Sequence, residues 1–184
     1  MRLKTSLLSI GFLTLLTACQ TPIKETNTLD NNLVKNSYQA TEQLIHIANT
    51  NADITDTKLN AKSPLIVASF VDVNQMEQSS ALGRIIAEQI SSKLSQKGYY
   101  VVELKLRKNI FIKESAGEFL LSRKIKEITN NHNAQGIVVG TYAAGVNHIY
   151  ITAKIINPST NRIISSIDFR LPMNEDTREL LSSW

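Results

Sequence analysis

The residue best placed for chemistry is Cys19, the only cysteine in the chain. It closes Leu16-Thr17-Ala18-Cys19, a leucine, two small residues and a thiol, which is the form of a lipobox. The chemistry such a segment supports is acylation: a diacylglycerol moiety on the sulfur and, after cleavage before Cys19, an N-acyl chain on the freed amino group. Small residues suit the positions before the thiol because a signal peptidase must grip an extended backbone. In an oxidising compartment a secreted domain normally uses cysteines in pairs. This one stands alone at the one place where acylation would consume it.

Other residue types that carry chemistry do not converge. His46, His132 and His148 show no spacing that would aim two imidazoles at one metal. No serine sits in a Gly-x-Ser-x-Gly elbow, so nucleophilic catalysis has no nucleophile in view. Glu114 and Glu118 read as charges favourable near a helix start. Gly136, Gly140 and Gly145 lie in a strand and a hairpin, whereas phosphate-binding glycines sit between a strand and a following helix. The reading is a non-enzymatic domain with no metal, no cofactor beyond the acyl groups on Cys19, and no small-molecule substrate.

The elements that must position Cys19 are simple. Arg2 and Lys4 precede an apolar run ending at Leu16, too short to span a bilayer and suited to a signal peptide over residues 1–18. Gln20, and not an aspartate that would retain the chain at the inner membrane, follows the cysteine; the expected address is the outer membrane, facing the periplasm. Residues 19–32 form an acylated flexible tether, and 33–184 a single domain.

Within that domain, apolar spacing predicts a helix over Leu33 to Asn49. A buried strand follows over Leu65 to Val71, then a helix over Ala81 to Lys97 capped by Ser79 or Ser80 and stopped by Gly98. A strand over Tyr99 to Leu106, a third helix over Gly117 to Asn130, and strands at Gly136–Ala143, Ile149–Ile155 and Ile163–Phe169 complete the core. A short helix after Pro172 is possible. Two crossovers followed by hairpins imply an α/β fold, with a mixed parallel and antiparallel sheet and helices packed on it.

Charge excludes little and favours nothing nucleic. The chain carries 20 Lys and Arg against 16 Asp and Glu; removal of Arg2 and Lys4 with the signal leaves 18 against 16, with no basic run of four. Two features stand out as possible partner contacts. Arg84 falls in a first helical turn, where a cation opposes the dipole; a partner or an internal carboxylate is expected to hold it. Its neighbour Gly83 costs roughly 1 kcal/mol of helix stability relative to alanine. The second is Lys105, Arg107 and Lys108 followed by Ile110 and Phe111, either a solvated edge or an interaction surface.

The blocks Ser63 to Val71, Gln78 to Ile90, Gly98 to Lys105, Gly117 to Arg123 and Val138 to Tyr142 resemble, in order, the FlgO family of flagellum-associated outer-membrane lipoproteins. The resemblance covers about Tyr38 to Leu180. It implies a non-enzymatic component of the flagellar envelope apparatus needed for stable flagella and motility. Its expected partners are other flagellar ring or envelope proteins and further copies of itself in a ring. It also implies a fold like the N-terminal domain of TolB and envelope lipoproteins such as LpoB and CsgG. A regulatory lipoprotein docking on an envelope enzyme, such as a cell-wall synthase, is the alternative that the same fold admits.

Overall fold

The structure is a computed structural model, and it describes residues 33–51, 58–104, 111–113, 119–121 and 123–183. Among these residues there are four helices, α1 (Leu33–Thr50), α2 (Ala81–Gln96), α3 (Arg123–Asn131) and α4 (Glu175–Ser182). Its strands are β1 (Leu65–Ala68), β2 (Val71–Asp72), β3 (Val101–Leu104), β4 (Phe111–Lys113), β5 (Phe119–Leu121), β6 (Gly136–Ala144), β7 (His148–Ile156) and β8 (Ile163–Pro172).

The main sheet runs β3-β1-β6-β7-β8, with β2 adding to β6 beyond the end of β1. Pairing of β1 with β3 and with β6 is parallel, whereas β6, β7 and β8 are joined antiparallel. This is the mixed sheet that crossovers followed by hairpins demand. Every residue of β1 is buried, as a parallel strand covered on both faces requires. In β7 burial alternates, with Ile149, Ile151, Ala153 and Ile155 buried and Tyr150 exposed, the mark of one solvated face.

Helices α1 and α2 cover one face. Leu44 and Ala48 from α1, and Leu82, Ile86, Ile90 and Leu94 from α2, share a core with Leu65, Val67, Val138, Ile151 and Ile155. The four α2 residues recur every fourth position, which keeps them on one stripe. Across the sheet, Ile125 of α3 packs with Ile66, Ala68, Ile137 and Val139. Glu42 of α1 reaches Lys93 at 2.9 Å and Lys97 at 3.0 Å on α2, and these cations hold its carboxyl below the usual range.

Three expectations are corrected. The predicted helix from Gly117 begins only at Arg123; Phe119–Leu121 instead pairs antiparallel with Phe111–Lys113. Three consecutive apolar residues suit a short strand better than one helical stripe, and the helical spacing starts with Ile125 and Ile128. The strand over Leu65 to Val71 is interrupted at Ser69-Phe70, because the Phe70 amide leaves the sheet to donate to the Gly83 carbonyl at 3.1 Å. The last strand continues to Pro172, and the C-terminal helix follows it. Ser80 caps α2, Gly98 adopts a φ of 85° just past its end, and Asn174 and Thr177 cap α4 reciprocally.

Candidate functional site

Long-range hydrogen bonds and close backbone contacts meet at the junction where β1 gives way to α2. Here Gly140 of β6 lies directly under the Phe70 ring, and a Cβ at that position would overlap the ring carbons. Phe70 in turn presents its carbonyl to the start of α2. Ser79 Oγ donates to that carbonyl at 2.7 Å, and the ideal Cβ position of Gly83 overlaps the same oxygen. Glycine is therefore required in the first turn of α2 by close approach of the backbone, which resolves its low helix propensity.

Tyr142, buried to 1 % exposure, closes this junction from β6. Its hydroxyl donates to Ser80 Oγ at 2.7 Å and accepts from the Ser80 amide at 3.2 Å. Ser80 Oγ also accepts from the Gly83 amide at 3.3 Å. The Gly83 amide at the helix N-terminus is thus satisfied by the cap, with the cap itself pinned by a tyrosine 62 residues away. Arg84 is exposed, and its guanidinium donates to the Ser79 carbonyl at 2.6 Å. The expected internal carboxylate is replaced by a backbone oxygen, and among the described residues no acidic side chain pairs with Arg84.

Burial pushes the Tyr142 hydroxyl above the ordinary tyrosine value of 10.0, against the bonds to Ser80, which lower it. A raised value in the folded state means that this stability is complete below the unfolded value and is lost as pH rises from there through the folded value. Resistance of the domain to urea is accordingly expected to fall above about pH 10. Tyr142→Phe should lose about 1 kcal/mol at neutral pH and show a shallower alkaline decline. Equal alkaline slopes for the two proteins would contradict this.

The other residues singled out in the sequence are not gathered by the fold. His46 lies on α1, His132 just past α3 and His148 at the start of β7; the first two are exposed. No group of three His, Cys, Asp or Glu residues that could hold a metal occurs among the described residues. Cys19, Lys105, Arg107, Lys108, Ile110, Glu114 and Glu118 lie outside the described residues. Phe111 is placed only as the first residue of β4. Met173, Asn174, Glu175, Arg178, Glu179 and Ser182 line an open hollow beside α4, with no nucleophile paired to a base. No described helix is long and apolar enough to cross a membrane.

The Tyr142 and Ser80 hydroxyls are buried and bonded to each other, half-buried Ser79 is bonded to the Phe70 carbonyl, and the Ser183 carbonyl just past α4 accepts from the Ala81 amide at 2.7 Å. Together these bonds fix the sheet against α2 and α4. Sequence reasoning had marked Gly83 and Arg84 but not Tyr142, since nothing local announces a bond spanning 62 residues.

Comparison with known proteins gives a family and a fold. The family model described as FlgO protein matches residues 38–176. No curated protein matches the chain. Among solved structures, the chain resembles the LpoB C-terminal domain from Escherichia coli, with 15% identity and a TM-score of 0.51 over 77% of this chain and 99% of that one. It also resembles E. coli LpoB determined by NMR, with 13% identity and a TM-score of 0.51 over 91% and 84% of the two chains. The LpoB C-terminal domain from Salmonella enterica aligns at 17% identity and a TM-score of 0.48, over 74% and 98%. At these identities the likeness concerns the fold, which is that of the LpoB C-terminal domain.

Proposed function

Because the chain belongs to the FlgO family, we propose that it is a non-enzymatic, lipid-anchored outer-membrane protein that serves as a structural or assembly component of the flagellar envelope apparatus. The carrying observation is the family match, which spans the sheet and α1 to α3 from residue 38 to residue 176. The lipobox at Cys19 supports the anchor. The bonded-shut junction at Tyr142 and Ser80 supports a domain that docks and does not turn over substrate. Docking to ring or envelope proteins is assigned to exposed Arg84 and to the Lys105, Arg107, Lys108, Ile110 and Phe111 stretch, with further copies of the chain as ring neighbours.

Deleting the gene is the direct test. Cells should carry fewer or unstable filaments and spread poorly in soft agar, with recovery on complementation. Normal filaments and normal swimming in the deletion strain would sink the proposal.

The LpoB-like fold favours one second reading, a regulatory lipoprotein that docks on an envelope enzyme such as a cell-wall synthase. Fold alone does not carry function. Crosslinking in intact cells separates the two: flagellar ring proteins recovered with the chain support the first reading, and a synthase supports the second.

A further inference from the structure

Strand β8 is an edge of the main sheet and its longest strand, at 10 residues. Two bonds show which way its backbone groups point. Gly145 N donates to His148 O, and Met173 N donates to Asn147 O. With Ile149 opposite Leu171 and Ile151 opposite Phe169, alternation along an antiparallel ladder turns Leu171, Phe169, Ile167 and Ser165 toward β7. The N–H and C=O groups of Ser166, Asp168 and Arg170 therefore point out of the sheet. Among the described residues nothing bonds to them. The side chains of these three residues are exposed, on the face opposite α1.

An unpaired edge of this length is a template for another strand unless its charges forbid it. Here they forbid most registers and permit one. We infer that β8 pairs antiparallel with β8 of a second copy of this chain, about a two-fold axis at Phe169. Arg170 then lies opposite the partner's Asp168, and Asp168 opposite the partner's Arg170.

Both pairs are of the hydrogen-bonded kind, since the amides of both residues already point outward. Sliding the strands one step either way sets Asp168 against itself or Arg170 against itself, and like charges directly opposite are destabilising. The order Asp168-Phe169-Arg170 is complementary to its own reverse. That is the reason to assign the edge to a second copy and not to an unrelated strand.

The ends of β8 confine the pairing to its centre. The register shifts between Ile155 and Ile156 opposite one end, and Pro172 at the other end has no N–H to offer. A two-fold axis perpendicular to the sheet leaves α1 of both copies on the same side of the joined sheet. The contact is small, so association is weak in solution and rises where both copies are confined to one membrane. The inference stands on the sheet edge and holds whichever envelope partner the domain serves.

Sedimentation of the full mature chain in detergent micelles, over a range of protein concentrations, tests the pairing. The native chain should show a reversible dimer. Asp168→Arg and Arg170→Asp should each weaken it about tenfold or more, because two attractive pairs become repulsive. The double variant D168R/R170D should restore it. Thr152 donates to Asp168 Oδ1 at 2.6 Å, so Thr152→Val serves as a control that should leave dimerisation intact. Circular dichroism checks that each variant is folded.

A folded chain that stays monomeric would overturn the inference. So would self-association, as a dimer or a larger ring, that ignores the single reversals. A double variant no better than the single ones would also overturn it.

Discussion

Replacing Gly83 by alanine is expected to destabilise the domain by about 2 to 3 kcal/mol, against the sign that helix propensity predicts. In an exposed helix interior the same change gains about 1 kcal/mol. At Gly83 the added methyl overlaps the Phe70 carbonyl oxygen and comes within 2.8 Å of Ser79 Oγ. A backbone oxygen cannot swing aside as a long side chain does. Either α2 moves away from the sheet or Phe70 is displaced, and both routes break the Phe70 N–H bond to the Gly83 carbonyl and the Ser79 bond to the Phe70 carbonyl. Displacing Phe70 also disturbs its ring over Gly140.

Urea melts of Gly83→Ala and of Ser92→Ala, an exposed position on the same helix, give the comparison. Ser92→Ala should be neutral or slightly stabilising. A midpoint for Gly83→Ala at or above the native one would show that propensity outweighs the overlap, and the close approach of α2 to Phe70 would be wrong.

The contrast between these two alanines also shows what was legible in the sequence. Periodicity located α1, α2, β1 and the β6-β7-β8 meander, because each buries a pattern that repeats locally: the fourfold spacing of Leu82, Ile86, Ile90 and Leu94, or the alternation along β7. Crossover logic then fixed the mixed sheet. What escaped depends on partners outside the element itself. Phe119–Leu121 reads as helix because its apolar residues lead into Ile125 and Ile128, which do have helical spacing, while the strand it pairs with is Phe111–Lys113. The break at Ser69-Phe70 escaped because the Gly83 carbonyl that draws the Phe70 amide lies 13 residues on.

At the candidate site, Gly83 and Arg84 were visible as violations of helix rules, and the structure explains both by backbone oxygens. Gly83 makes room for the Phe70 carbonyl, and Arg84 donates to that of Ser79. Local rules are broken here to seat α2 on the sheet. That is a structural reason for Gly83, while Arg84, exposed, keeps the docking role proposed for it. The edge of β8 is the converse case: Ser166, Asp168 and Arg170 break no rule in sequence. Their meaning emerges only when the register shows that the backbone groups of all three point outward.

Replacing Cys19 by serine should remove the protein from the membrane fraction and reduce swimming to the level of the deletion strain, while leaving the fold and its urea midpoint unchanged. Each buried methylene contributes about 0.8 kcal/mol to anchoring, and one acyl chain alone gives only reversible binding. In the proposed anchor, two or three chains on Cys19 would hold the domain stably, and a serine would support none of them. The effect is large because the domain acts in this proposal by docking, so its occupancy depends on local concentration.

Under the proposed anchoring, a tether over residues 19–32 would keep each copy within a thin layer at the membrane. Confinement of that kind raises the effective concentration of a partner toward the millimolar range. A short edge contact such as β8 against β8, weak for a diffusing protein, becomes populated there. Fractionation, intact mass and swimming assays on Cys19→Ser cells test the chain of reasoning at separate links. A mature protein lacking acyl mass in native cells would refute the lipobox. A soluble Cys19→Ser protein that swims like the native strain would show that docking needs no anchor. Dimerisation of β8 would then have to be strong enough to stand without one.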